Sequence, residues 1–401
     1  MVTFRKAVIM AAVLLFMIFM LYPRHSSMHT QRAPTSSPPS TAAAAAPPQS
    51  PGSVKTDTTP NSAPPITTQP KPTVPKVDSG AAKVQQKLAL AAVQNLPIDK
   101  QLAYHFPYSV SSKFPAYIWQ TWKYTPASGQ FADKFRVPEA SWTEKHPSFV
   151  HEVITDDVAE HLIRHLYSAI PDVLEAYLSM PLPILKADFF RYLILLARGG
   201  VYADIDTQAL KPTTEWVPQS FNAKSIGLVI GIEADPDRAD WAKWYSRRIQ
   251  FCQWTIKAKP GHPVLVDIVT KITAETLKRK REGNLKPNHD GVVEWTGPAV
   301  WTDSIFSYFN DPNFFETTAS AGNITFKNFT GMRDSKKIGD VVVLPITSFS
   351  PGIGHSGAGP VEDPMAFVKH EFEGSWKPAT ERIIEPKPQH DANQQQQNPQ
   401  T

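Results

Sequence analysis

One cysteine, Cys252, is all the chain offers, so no disulfide can form within it whatever the redox state of its compartment. That thiol lies in Arg247-Arg248-Ile249-Gln250-Phe251-Cys252-Gln253-Trp254 and reads as buried and inert. A strong charge bias is missing too. The formal net charge is +4, and the one compact basic block, Lys278-Arg279-Lys280-Arg281, falls near the end of an expected helix, where a solvated cationic face suits the helix dipole. Nucleic-acid binding is therefore not indicated. From Ser26 to about Lys83 aromatic residues are all but absent and Pro, Ser, Thr and Ala dominate, a composition that cannot bury enough apolar surface to fold. No internal repeat is present.

Only one apolar run has the length to matter for a membrane. Ala7 to Tyr22, flanked by Arg5 and Lys6, would span roughly 24 Å as a helix at about 1.5 Å per residue, which suits the thin membranes of the early secretory pathway. It exceeds the apolar core of a signal peptide and no small-x-small cleavage site follows it, so an uncleaved signal anchor is expected. Arg24 and Arg32 beyond it nearly balance Arg5 and Lys6, and charge alone leaves the orientation open. The expected organisation is a tail at 1–6, the anchor at 7–22, an extended stem at 23–95, one globular domain at 96–377 and a disordered tail at 378–401 that carries Gln394 to Gln397. Asn323-Ile-Thr325 and Asn328-Phe-Thr330 fit the N-glycosylation pattern and favour a lumenal domain.

Within the globular region short β-like runs alternate with helical ones, which predicts an α/β domain with a largely parallel sheet. Candidate strands are Ala116 to Gln120, Val150 to Ile154, Val201 to Ala203, Ile226 to Ile232 and Val341 to Leu344. Candidate helices are Asp157 to Tyr167, Pro183 to Arg198, Pro263 to Arg281 and Pro298 to Asn310. The helix at Pro183 has Pro in its first turn, no interior Gly, and Gly199-Gly200 where a cap with positive φ would fall. Apolar residues cover most of its circumference, so it should be buried. Asp188 and Arg191 then stand out: spaced i, i+3 they share a face and can pair, either as a structural ion pair or as groups facing a pocket.

The strand after that helix runs Gly199-Gly200-Val201-Tyr202-Ala203 and ends in Asp204-Ile205-Asp206. Two carboxylates from one short loop suit a divalent cation such as Mn²⁺ or Mg²⁺, which can in turn hold a diphosphate. Ligands in open α/β sheets sit beyond the carboxyl ends of the strands, so Trp119 should lie near Asp204, as a stacking surface for a nucleotide base or as ordinary core. Phosphatases of the haloacid-dehalogenase type also place Asp-x-Asp after a strand, with the first aspartate as nucleophile. Their pattern has Thr or Val two places after the second aspartate, where this chain has Gln208.

Ile118-Trp119-Gln120-Thr121-Trp122-Lys123, Lys186-Ala187-Asp188-Phe189-Phe190-Arg191-Tyr192 and Gly199 to Thr207 resemble glycosyltransferase family 32, the sugar-binding Asp-x-Asp group. Glu233 to Arg238, Arg248 to Trp254, Glu294 to Pro298 and Leu344 to Gly352 extend the likeness over the globular region. The resemblance implies a GT-A, Rossmann-like catalytic domain in a type II Golgi membrane protein. It implies an α-1,6-mannosyltransferase that moves mannose, with retention, from GDP-mannose to the core of high-mannose N-glycans on glycoproteins, using Mn²⁺ or Mg²⁺. Other mannosyltransferases are then expected partners, with a mannan-polymerase subunit as the alternative role within the family. A phosphatase or a noncatalytic scaffold are the alternatives outside it. By position in the motif, Asp204 would touch the sugar and nucleotide side, Asp206 would coordinate the metal, and Asp188 and Arg191 would grip donor hydroxyls. His355, in a Gly-rich C-terminal loop, is expected to complete the metal shell, and Trp295, Thr296 and Gly297 to lie near the acceptor. No carboxylate nucleophile stands out. Retention is then expected through same-face attack, with the departing diphosphate taking the acceptor's proton.

Overall fold

A computed structural model describes residues 92–236, 238–286, 289–315 and 322–374. The expected anchor at 7–22, nearly all of the stem at 23–95 and the tail at 378–401 lie outside the described residues. No described helix is long and apolar enough to cross a membrane.

In chain order the elements are α1 (Ile98–His105), β1 (Tyr117–Thr121), α2 (Asp133–Lys145), β2 (Val150–Ile154), α3 (Asp156–Leu166), α4 (Pro171–Ser179), α5 (Pro183–Arg198), β3 (Gly200–Ala203), β4 (Thr207–Ala209), β5 (Leu228–Ala234), β6 (Gln250–Phe251), β7 (Thr255–Ala258), α6 (Pro263–Arg281), α7 (His289–Trp295), α8 (Pro298–Phe309), β8 (Lys336–Ile338), β9 (Val341–Leu344) and β10 (Val368–His370). One sheet has the order β2-β1-β3-β7-β5-β9-β8, with β6 paired to β5, and β4 with β10 forms a separate antiparallel ribbon.

The α/β class is as expected, but the sheet is mixed rather than largely parallel. β1 runs parallel to β2 and β3, and β5 to β9, whereas β7 is antiparallel to both of its neighbours, β3 and β5. The reason is the connection. Parallel pairing needs a crossover of a dozen or more residues, usually helical, and the described residues between β5 and β7 hold no α-helix. Instead β6 and β7 form one return stroke along β5, broken at Cys252-Gln253-Trp254, with the Cys252 N–H held by the Gly231 carbonyl at 2.8 Å. That break aims Gln253 and Trp254 at the site described below.

α5 is the central helix. Pro183 opens it, and Leu185, Phe189, Phe190, Tyr192, Leu193, Ile194, Leu195 and Leu196 are all buried in the main core, so the helix is covered on nearly every side. Gly199 and Gly200 end it at φ +64° and +102°. A Cβ on Gly200 would lie 2.6 Å from the Tyr117 carbonyl oxygen, and one on Gly199 would lie 2.7 Å from Pro260 Cδ. The pair lets the chain turn from the helix end directly into β3, flush against β1. Gly200→Ala should therefore lower stability by about 2 kcal/mol or more, read from the urea midpoint by tryptophan fluorescence. Gly283→Ala is the control: its φ is also positive, at +68°, but nothing approaches within 4 Å, and the loss there should be visibly smaller.

Candidate active site

β3 is held between β1 and β7, so its last residue, Ala203, pairs with Thr255 and delivers Asp204 at the carboxyl edge of the parallel strands. The turn that follows is tightly tied. The Asp204 N–H donates to the Trp254 carbonyl at 2.9 Å, and the Asp204 carbonyl accepts from Thr207 N at 3.1 Å and Thr207 Oγ1 at 2.6 Å. Gln120 Nε2 adds a third donor at 3.1 Å. Gln120 Oε1 in turn lies 2.9 Å from His151 Nε2, so β1 and β2 both brace the acidic turn.

Asp188 and Arg191, expected to pair on one face of α5, do so at 3.0 Å with 2% and 3% of their side chains exposed. The same Arg191 Nη2 also reaches Asp204 Oδ1 at 3.1 Å. The guanidinium lies over the Tyr202 ring, 5.1 Å from its centroid. Arg191 Nε and Nη1 are buried with no hydrogen-bond partner among the described residues. Asp188 Oδ2 accepts from Thr296 Oγ1 at 2.9 Å. Burial pushes the Asp188 carboxyl up to about 6, against the pull of Arg191 and Thr296. Burial also raises Asp204, again opposed by Arg191 but aided by the charge of Asp206. It works against the charge of Arg191, which Asp204 and Asp188 more than restore.

Asp206 is held from the C-terminal side. β10 lies antiparallel to β4, with His370 opposite Thr207, so Glu371 N donates to the Asp206 carbonyl at 3.0 Å and Glu373 N to Asp206 Oδ2 at 3.1 Å. His370 Nε2 is 3.3 Å from Asp206 Oδ1. Burial disfavours the Asp206 anion, but His370 and the Glu373 amide outweigh it and hold the carboxyl below its ordinary range. One ligand atom each from Asp204, Asp206 and His370 lie within 4.8 Å of one another, the group among the described residues able to hold a metal ion. The imidazole is packed by Trp254 at 4.5 Å and Phe372 at 4.1 Å between ring centroids, and its Nδ1 is buried without a partner. Two carboxylates and an imidazole on the other strand fit Mn²⁺ or Mg²⁺, with the nitrogen favouring Mn²⁺.

His355 does not join this cluster. Its loop folds back on itself, with Gly352 N on the Gly359 carbonyl at 2.8 Å and Gly359 N on Thr347 Oγ1 at 2.8 Å, which leaves His355 exposed beside Ser356. Trp119 is core rather than a free stacking surface: it is 8% exposed, donates to the Gly199 carbonyl at 2.9 Å and stacks on Tyr117. Trp295 is likewise buried, its N–H on Thr276 Oγ1 at 2.8 Å, while Thr296 faces Asp188. Cys252 is fully buried and burial pushes its thiol up, in keeping with an inert group. His370 lay in no motif of the sequence, since a histidine on a three-residue strand gives no periodic signal, and Gln253 lay in the Arg248 to Trp254 segment without a role of its own.

Residues 134–222, which contain Asp188, Arg191, Asp204 and Asp206, match the family described as "glycosyltransferase sugar-binding region containing DXD motif". An initiation-specific α-1,6-mannosyltransferase of Candida albicans is 50% identical over 294 residues, covering 70% of this chain and 76% of that protein. The protein of the same name from Schizosaccharomyces pombe is 45% identical over 276 residues, covering 68% of this chain and 66% of the relative. The putative glycosyltransferase HOC1 of Saccharomyces cerevisiae is 42% identical over 276 residues, covering 66% of this chain and 68% of its own length.

If Asp204, Asp206 and His370 form the cation site, His370→Ala should weaken Mn²⁺ binding at least tenfold, about 1.4 kcal/mol, in a titration followed by electron paramagnetic resonance. His355→Ala should leave it unchanged. Equal affinity in wild type and His370→Ala would remove the histidine from the site.

Proposed function

This chain belongs to the family of the initiation-specific α-1,6-mannosyltransferases, and from that premise we propose that it transfers mannose from GDP-mannose, with retention, to the core oligosaccharide of N-glycans on glycoproteins. The mixed sheet with its Asp-x-Asp edge is that of a GT-A-like glycosyltransferase. One observation carries the donor reading. Arg191 joins Asp188 to Asp204 through Nη2 and keeps two further buried N–H-bearing atoms, Nε and Nη1, without partners. A buried donor left unsatisfied costs about 1–3 kcal/mol, and an oxygen of a sugar nucleotide would offset that cost.

Asp204, Asp206 and His370 are the residues that would hold Mn²⁺, or Mg²⁺ in its place. When bound, the cation supplies positive charge against the diphosphate as it leaves. The rest falls to the chain. Arg191 fixes the two carboxylates on either side of it and offers donors to the sugar nucleotide. Asp188 accepts from a sugar hydroxyl. It is a weakened nucleophile, because Thr296, Arg191 and Gln253 hold three of its about four acceptor directions. That supports same-face attack, in which the acceptor hydroxyl bonds to the anomeric carbon and passes its proton to the departing diphosphate oxygen. An N-glycan acceptor and the apolar run at 7–22 support a Golgi-lumenal location with that run as a type II anchor.

The full-length protein, incubated with GDP-mannose, Mn²⁺ and a defined oligomannose, should form an α-1,6-linked product identified by linkage mapping. Asp206→Ala should lower the rate by about a hundredfold or more while leaving the circular dichroism spectrum intact. Release of phosphate from simple esters in place of transfer would point to a phosphatase instead.

A further inference from the structure

Asp188 is held by a shelf of side chains to which the donor reading gives no part in recognising the sugar. Thr296, which follows α7, donates to Asp188 Oδ2 at 2.9 Å, and Gln253, in the break between β6 and β7, offers Nε2 to Oδ1 at 3.4 Å. Behind them Tyr192, the residue after Arg191 on α5, donates to Gln253 Oε1 at 2.5 Å and lies 3.2 Å from the Thr296 carbonyl. With its oxygen taken by Tyr192, the Gln253 carboxamide must turn its nitrogen towards Asp188. Tyr192 is itself fixed, stacked on Trp301 with ring centroids 5.4 Å apart.

The shelf is stiff at its other end as well. Thr296 N and Gly297 N both donate to the Val292 carbonyl at 3.1 Å, and a Cβ on Gly297 would meet Val293 Cα at 2.8 Å, so this turn has no slack. Arg247 clamps Glu294 at 2.9 Å and Asp303 at 2.6 Å, one on each side of the turn. A carboxylate has about four acceptor directions. In Asp188, Arg191 and Gln253 take those of Oδ1 and Thr296 takes one on Oδ2, which leaves a single direction open.

We propose that Thr296, backed by Gln253 and Tyr192, is a positioning residue for sugar recognition: it fixes the Asp188 carboxylate so that its one open acceptor direction meets a hydroxyl of the transferred hexose. Thr296 is fully buried, so it acts through Asp188 and not by touching the sugar. The inference rests on the donor reading above and concerns the sugar alone. Nucleotide affinity, which the diphosphate dominates, should not depend on it.

The test compares GDP with GDP-mannose by calorimetry on the full-length protein in Mn²⁺, together with the donor KM. Thr296→Val removes only the hydroxyl. It should weaken GDP-mannose about tenfold and raise the donor KM to match, with GDP affinity unchanged, and Thr296→Ser should restore binding to within about twofold. Tyr192→Phe, which keeps the ring on Trp301, should cost about threefold in the same sugar-specific way and carries the test where Thr296→Val does not fold. Sugar-dependent binding that survives both substitutions, or an equal loss for GDP and GDP-mannose, overturns the inference alone. Wild-type protein that binds GDP-mannose no better than GDP overturns the donor reading along with it.

Discussion

The site depends on one guanidinium shared between two carboxylates. Asp188 comes from the middle of α5 and Asp204 from the end of β3, and both are drawn to the same Arg191 nitrogen at 3.0 and 3.1 Å. In a buried setting two carboxylates this close repel strongly and desolvation penalises each of them. The arrangement persists because Arg191 is also buried and is backed by the Tyr202 ring. The backbone must meet that requirement first. Gly199 and Gly200, at positive φ and in close contact with Pro260 and Tyr117, turn the chain so sharply that the helix and the strand it feeds present their acidic groups to a common point. A helix ending one residue later would carry Arg191 away from Asp204.

The second acid of the motif obeys a different constraint. Asp206 is bound to the C-terminal segment through backbone amides of Glu371 and Glu373, while His370 approaches its side chain. The β4–β10 ribbon therefore does two things at once: it closes the acidic turn and supplies the imidazole. Trp254 joins this side to the sheet, since its carbonyl holds the Asp204 amide and its ring packs on His370.

Local signals made the α5–β3 part of the site readable from the sequence. α5 and α6 match their expected bounds because each opens on Pro, carries a helical apolar pattern and ends at a clear stop, and β2 and β9 match because they are short β-branched runs. The Asp188–Arg191 pair followed from i, i+3 spacing, and Asp204 and Asp206 from adjacency. What escaped has tertiary causes. α2 holds an internal Pro138 and is stabilised from outside, with Trp142 Nε1 on the Thr207 carbonyl at 2.9 Å and Ser141 Oγ accepting from Ala209 N at 2.8 Å. β4 and β10 are three residues each, too short for a period, and their pairing alone brings His370 to Asp206. The expectation that His355 completes a metal shell fails because the glycines around it serve tight turns that fold its loop onto itself, away from Asp204, Asp206 and His370.

Charge ties these pieces together. Asp188 and Asp204 share one guanidinium, and Asp206 lies beside Asp204 with His370 as its own neighbour. The uneven response follows: burial and the charge of Asp206 raise Asp204 against the pull of Arg191, while His370 and the Glu373 amide outweigh burial at Asp206 and lower it. A divalent cation held through Asp204, Asp206 and His370 would add positive charge where acidic side chains outnumber the guanidinium. Among the described residues, the buried nitrogens left without partners at this site are Arg191 Nε and Nη1 on one side and His370 Nδ1 and Trp254 Nε1 on the other. The short Gly199-Gly200 turn thus sets where the Arg191 guanidinium of α5 stands relative to the Asp-x-Asp edge that follows β3.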